Sequence, residues 1–440
     1  MEKNKHYIIF WLGQSVSQLG SAMTAFALTI WAYQQTRSAM TVSLMTFCSY
    51  VPYILVSIFV GGFIDRHSKK MILIISDSVA ALLTVGVFIQ LSQNNLSIEQ
   101  IYIVNAIIGF ANAFQSPAAS VVTGTLIPDG QYQKASGLQS FSSNLTMVVS
   151  PMLAGMITGF AGLPFVLVAD LLSFLFCVVT LISIKTDAQL SEHVIQKSNK
   201  NKFGNLKDSI QFLNNEKGLL YIMISLAIIN FFSRLTYENI LSPMILSRSG
   251  NDIKVLSVVS GVLGAGGIIG GMMVLGVKGK SNPLKLLYVS AGVSFLFGDL
   301  LMGVGQNLSI WLLAGIAASV PIPFIMAGQT MMLYKIIPPN MQGRIFALRN
   351  AIHSSTIPLG ILLGGYLADY VFEPFMESDH LLADLLKNVV GSGAGSGMAV
   401  MFLCTGILGS ISCIAGYKNK HIKRLGVRLE VDGEAGGDIL

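Results

Sequence analysis

Residues 61–70 read GGFIDRHSKK, and this short stretch decides the fold. An apolar run ends at Ile64; Asp65, Arg66, His67, Lys69 and Lys70 then crowd together, and a second apolar run starts at Met71. So brief a polar stretch between two long apolar ones is a tight hinge between membrane helices. Its positive sign marks the cytoplasmic side.

Working outward, the 440 residues are 52% hydrophobic and only 11% charged, against about 25% charged in soluble domains. A membrane helix takes about 20 mostly apolar residues, so twelve take roughly 240. The 44 glycines suit close helix packing in lipid. The expected fold class is therefore an all-α polytopic membrane protein. The net charge of +6 is spread over short loops, with no interleaving of basic and aromatic residues, so no nucleic-acid partner is expected. Cys48, Cys177, Cys404 and Cys413 lie in apolar runs without metal-ligand spacing and read as buried small side chains. No metal and no cofactor are expected. The first apolar run is too long for a signal peptide and lacks a small-residue cleavage site, so it reads as a retained first helix.

Apolar runs fall at about 8–33, 39–64, 72–92, 98–118, 138–162 and 164–184, then at 218–246, 252–277, 285–304, 310–332, 346–372 and 396–417. This predicts an N-terminal six-helix bundle over 1–184, a cytoplasmic linker over 185–217, a C-terminal six-helix bundle over 218–417 and a cytoplasmic tail over 418–440. A short amphipathic helix is expected within the linker near Leu206–Leu213. With the N-terminus inside, 23 of the 28 basic residues fall on the inner side. Arg37, Arg248, Lys254 and Lys387 fall outside, and Arg234 lies within a run. That bias predicts two cytoplasmic termini.

The halves also repeat. LIPDGQYQKASGLQS from Leu126 and IIPPNMQGRIFALRN from Ile336 place Pro128 and Pro338, and likewise Lys134 and Arg344, the same distance apart in sequence. A six-helix unit used twice in one orientation predicts two related bundles.

The hinge carries Gly61, Asp65, Arg66, Lys69 and Lys70 at the spacing of a loop signature of the major facilitator superfamily, with Ser68 where that family usually has glycine. The chain thus resembles this superfamily. Through GFANAFQSPA (Gly109–Ala118), the KASGLQS and GRIFALRN loops and the acidic-to-glycine loop before the last run, it is similar to the drug-efflux branch typified by bacterial macrolide efflux proteins. The resemblance implies two six-helix bundles in a multi-pass cell-membrane protein that exports amphipathic compounds against proton entry. Ser150, Pro151, Ala154 and Gly155 resemble a degraded antiporter motif, with Ser150 where the family form has glycine. In the superfamily fold the first and fourth helices of each half line the central cavity. The resemblance thereby places candidate substrate-cavity residues at Gln14, Gln18 and Ser21 (with Thr24 in the same stripe), at Asn105, Asn112 and Gln115, and at Asn230 and Gln329.

Charges inside apolar runs cost about 2.5–3.5 kcal/mol each at mid-helix, so each needs a reason. Asn230, Arg234 and Glu238 recur every fourth residue on one helix face. Arg234 and Glu238 are spaced to pair, either as a proton-coupling carboxylate facing the cavity or as a neutral staple. Asp170, Asp77 and Asp299 are further ionisable positions, the first two being candidate proton-coupling groups. Asp170 sits about nine ångströms inside its run by helical rise, where a structural role between helices also fits. Asp77 and Asp299 lie near run ends, where snorkelling or pairing accounts for them. His353 is a titratable group near a helix start. At the hinge, Asp65 and Arg66 read as part of a conformational latch, whereas Lys69 and Lys70 also serve as topology signals. The broad apolar surface for varied ligands would draw on Phe26, Trp31, Tyr33, Phe110, Phe114, Phe231, Phe232, Tyr237 and the Met326–Met332 region.

No G-x-x-x-x-G-K-[ST] loop and no Ser/His/Asp cluster stands out, so neither an ATP-driven pump nor an enzyme is expected. The expected partners are a small amphipathic substrate, protons and membrane lipids, and the expected state is a monomer. Export of an endogenous siderophore or peptide is the alternative within transport; a non-transporting membrane scaffold or sensor is the alternative outside it.

Overall fold

The computed structural model describes residues 2–57, 59–127, 132–184, 211–276, 282–337 and 339–425. Side chains at 2–4, 61–62, 65, 132–137, 140, 275, 335, 339–344, 346–347 and 351 lie outside the described set. Pro128, Pro338, most of the linker, the C-terminal tail beyond 425 and the side chains of Lys134 and Arg344 are thus outside the description. Of the expected linker helix, only residues 211–215 are described, as helix.

Everything regular in the described residues is helical. The first part of the chain forms α1 (Glu2–Thr36), α2 (Ala39–Ser57), α3 (Val60–Arg66), α4 (Lys69–Ser92), α5 (Ile98–Leu126), α6 (Tyr132–Ala161) and α7 (Leu163–Ser183). The second forms α8 (Lys217–Thr236), α9 (Leu241–Arg248), α10 (Ile253–Leu275), α11 (Pro283–Val293), α12 (Leu300–Val304), α13 (Leu308–Ser319), α14 (Ile322–Ile336), α15 (Pro339–Leu367), α16 (Glu373–Glu377), α17 (Leu381–Val390) and α18 (Ser396–Lys418). π-Helical turns join α11 to α12 and α15 to α16.

Among the described residues, ten helical segments are long and apolar enough to cross a membrane. The two other long helices, α1 and α5, fall short of that apolarity because they carry Gln14, Ser17, Gln18 and Ser21, and Asn105, Asn112 and Gln115. Their polarity is accounted for below by what they enclose. Elsewhere amphipathicity is inverted relative to a soluble helix. On α7, Leu172, Leu175, Phe176, Val179 and Ile182 are exposed, while Asp170, Ser173, Cys177 and Thr180 are buried. The apolar stripe therefore faces the lipid side and the polar stripe faces protein.

The chain divides into two compact units, one made of the helices before residue 184 together with Asn251–Gly261, the other of the remaining C-terminal helices. In the first, α1 packs on α6 and α7, and α4 on α5 and α7. In the second, α8 packs on α15 and α18, and α11 on α14 and α18. Counted as spans, the first helix of each half meets the fifth and sixth, and the third meets the fourth and sixth. One packing scheme is used twice, as the loop repeat predicted.

Local chemistry sets the corners. Ser68 is the N-cap of α4 and accepts from the Met71 amide at 3.4 Å with an ordinary negative φ, which is why serine serves where the family has glycine. Ser97 and Gln100 form a reciprocal capping box at the start of α5. Gly162 takes φ +88° in the one-residue turn between α6 and α7, a conformation that favours glycine.

Candidate functional site

The first unit holds a cavity of about 600 Å³ between α1, α2, α5 and α6. Its polar walls are amides and hydroxyls: Gln14 and Gln18 from α1, Asn112, Gln115, Ser116, Ser120 and Thr123 from α5, and Gln139 from α6. Its aromatic walls are Tyr7, Phe10 and Trp11 from α1 and Tyr53 from α2. Among the described residues, no charged side chain lines it. This explains much of the polarity of α1 and α5: Gln14, Gln18, Asn112 and Gln115 line the cavity and do not face lipid.

A carboxylate stands directly behind that wall. Asp77 on α4 is 4% exposed and accepts from Gln115 Nε2. Cys177 Sγ donates to its other oxygen at 3.6 Å and itself accepts from Gln14 Nε2 at 3.2 Å. Two cavity amides, one from α1 and one from α5, thus reach Asp77, directly or through one thiol. Of snorkelling and pairing, the two readings open for Asp77, the structure shows partners: the side chain turns into the bundle, where they replace water.

Asp170 lies deeper on α7. It accepts from Ser21 Oγ at 3.2 Å, Thr24 Oγ1 at 3.0 Å and Thr84 Oγ1 at 3.3 Å, and ties α7 to α1 and α4. Ser21 and Thr24 consequently face Asp170 and do not line the cavity. Asn105 is spent on the Met45 carbonyl at 3.3 Å, a bond between α5 and α2. Both placements depart from the cavity role expected for Ser21 and Asn105.

In the second unit Arg234 pairs with Glu238, and Arg234 Nε donates weakly to Asn230 Oδ1. Asn230 Nδ2 donates to Thr356 Oγ1 at 2.6 Å and to the His353 carbonyl at 3.2 Å. Glu238 lies in the non-helical turn after α8, so the pair spans a helix end. Gln329 is buried, with its side-chain nitrogen unpartnered. Asp299, expected to snorkel or to find a partner, is 1% exposed and accepts from Thr405 Oγ1 at 2.7 Å.

At the hinge, Lys70 Nζ donates to the carbonyls of Ile184 at 2.9 Å and Ile182 at 3.4 Å. A cation there complements the C-terminus of α7, a structural use additional to topology signalling. Arg66 is exposed and Lys69 is half-buried with a partner. The side chains of Gly61 and Asp65 lie outside the described residues. Of the antiporter-like residues, Ser150 is buried with an unpartnered hydroxyl, Pro151 lies within α6, and a Cβ on Gly155 would fall 1.7 Å from Ser257 Oγ.

Sequence reasoning missed Tyr7, Phe10, Trp11 and Tyr53 as cavity walls, and Cys177 as a link. The aromatics it favoured lie elsewhere: Trp31 and Phe26 pack in the core near Met23, while Phe110 and Phe114 face a separate apolar groove beside Phe63. The usable signal was helical spacing from Gln14, which puts Trp11, Phe10 and Tyr7 on the same face three, four and seven residues earlier.

The sequence profile described as Major Facilitator Superfamily matches residues 10–361. Among curated relatives, macrolide efflux protein A of Streptococcus pyogenes is 27% identical over 84% of this chain and 90% of that protein. The staphyloferrin A transporter of Staphylococcus aureus is 23% identical over 67% and 71%. A solved bacterial homologue of the iron transporter ferroportin, inward-facing, shares the fold with a TM-score of 0.69 at 13% identity, covering 94% of this chain and 99% of that one. With its helical architecture and its profile match, the chain belongs to the Major Facilitator Superfamily and is a membrane transporter, not an enzyme.

Proposed function

We propose that this chain exports amphipathic, macrolide-like compounds across the cell membrane by alternating access, with protons entering in exchange. The observation that carries the substrate class is the cavity lining. Amides and hydroxyls on one wall, aromatics on the other and no charge among the described lining residues suit a bulky solute with scattered polar groups on an apolar frame. The name of the Streptococcus pyogenes relative supports the same class.

Coupling rests on Asp77, with Asp170 as the deeper carboxylate. A solute that recruits Gln115 or Gln14 takes hydrogen bonds from Asp77 and its thiol neighbour, which changes how well the carboxylate holds a proton. Substrate and proton then compete through shared amides without sharing a site. Arg234 and Glu238 act as a second ionic element at the end of α8. Gly61, Asp65, Arg66, Lys69 and Lys70 form the latch on the cytoplasmic side, with both termini on that side and the chain working as a monomer.

The deciding experiment is expression in a pump-deficient bacterial host, screened for resistance and accumulation across drug classes, with Asp65→Asn as a latch control. Lowered accumulation of macrolides is expected. Asp65→Asn is expected at normal membrane levels without transport. If no compound's accumulation changes, the drug-export reading falls. The siderophore relative favours one second reading, export of an endogenous siderophore; loss of siderophore secretion under iron limitation, with drug accumulation unchanged, would select it.

A further inference from the structure

The second unit contains a buried carboxyl site that the cavity and its coupling network do not use. Asp299 ends the π-helical turn Ser294–Asp299, where one extra residue is inserted between α11 and α12. Such insertions gather at functional sites because they turn a side chain away from helical register. Thr405 Oγ1 from α18 donates to one carboxyl oxygen, Oδ2. The other, Oδ1, is buried with no hydrogen-bond partner among the described residues, and so is the hydroxyl of Tyr237. Tyr237 opens the four-residue turn that separates α8 from α9 and lies near enough to Asp299 for the two groups to interact, while neither its hydroxyl nor Asp299 Oδ1 meets full hydrogen-bond geometry among the described residues.

The surroundings leave this pair isolated. α13 brings no titratable side chain, and α18 brings Thr405 beside the Cys404 thiol. Arg234 and Glu238 pair with each other, as do Asp384 and Lys387. Among the described residues no cation neutralises Asp299. An isolated ionisable group at this depth is a functional-site candidate.

We propose that Asp299 is a proton-binding site of the second unit, and that its protonation sets whether Tyr237 is bonded to it. The ionised carboxylate offers Oδ1 as an acceptor, and the Tyr237 O–H swings onto it, tying the α8–α9 turn to the π-helical turn. A proton arriving on Oδ1 converts the carboxylate to the acid, removes that charge-assisted bond and releases the tyrosine. Glu238 is the next residue in the same turn, so the event at Asp299 reaches the Arg234–Glu238 pair without passing through the first unit. This inference rests on the reading of the chain as proton-coupled for its use in transport, but not for the protonation itself.

The test uses the purified full-length protein in liposomes, with infrared difference spectra between acidic and alkaline buffer and transport measured at both. The wild type is expected to show a protonated-carboxyl band that Asp299→Asn loses and Tyr237→Phe shifts, while the pH dependence of transport flattens in Asp299→Asn. An unchanged band in both variants overturns the proposal. Should Asp299→Asn misfold, the Tyr237→Phe band shift decides alone: present supports it, absent overturns it. Wild-type transport indifferent to pH would sink the proton-coupled function, while the band still reports on Asp299.

Discussion

Asp170 shows how one side chain holds three helices. Its carboxylate gathers hydroxyls from α1 and α4, so removing it orphans Ser21, Thr24 and part of the bonding of Thr84. Hydrogen bonds between membrane helices are worth about 0.6 kcal/mol on average, so losing all three costs on the order of 2 kcal/mol. Asp170→Leu is therefore expected to lower the unfolding temperature of the detergent-purified protein clearly. Asp170→Asn, which keeps an acceptor oxygen, loses much less; equal losses would show that charge, not hydrogen bonding, is what matters there. Gly20 faces the same site. A Cβ there would lie 2.1 Å from Ser173 Oγ and 2.9 Å from an Asp170 oxygen. Gly20→Ala is expected to destabilise by about 1–3 kcal/mol through overpacking, and Ser173→Ala to recover part of that loss. A thermal-shift series on the two single variants and the double variant measures the coupling, and strictly additive losses would contradict it.

At the scale of elements, the same glycine logic orders two positions on α15. A Cβ on Gly364 would lie 2.4 Å from the Leu235 backbone carbonyl, whereas on Gly360 it would meet the Arg234 Cβ at 3.1 Å. A 2.4 Å approach to a backbone oxygen forces the helices apart, whereas the 3.1 Å contact at Gly360, with the Phe231 carbonyl at 3.3 Å, asks for a shift of a few tenths of an ångström. Gly364→Ala is expected to cost more stability than Gly360→Ala, and the reverse order in melting temperature would refute the close crossing of α8 and α15. The helices themselves were legible because hydropathy reports on lipid contact, and so was the hinge, as the short polar break between α3 and α4. The placement of side chains around each helix was not. Counting helical rise from a run end gave Asp77 and Asp299 a depth but no direction, and depth alone suggested water. Their partners Gln115 and Thr405 lie far along the chain, and only the packing of α4 on α5, and of the turn before α12 on α18, brings them together. The cavity aromatics were overlooked for a related reason. Aromatics are common all along a membrane chain, and the four that matter are singled out by the amides next to them in space.

At the scale of the whole molecule, transport separates into holding the solute and coupling it to a gradient, and on the proposed reading these fall to different side chains. Gln14, Gln115 and the aromatic wall touch the cavity; Asp77 stands behind it, bonded to Gln115 and Cys177. In Asp77→Asn the new amide still offers Gln115 an acceptor oxygen, so the cavity wall keeps its shape while the site loses its titratable group. Substrate exchange across a membrane needs binding and alternation but no net proton movement, whereas uphill export needs the proton at every turnover. The variant is therefore expected to retain substrate binding and one-for-one exchange in liposomes and to lose accumulation against a gradient. A Gln115→Ala variant is expected to do the opposite in part, weakening binding first and exchange with it. If Asp77→Asn abolished exchange and uphill transport together, Asp77 would be a structural residue of the wall. If it left both intact, the coupling carboxylate would have to be sought at Asp170 or Glu238.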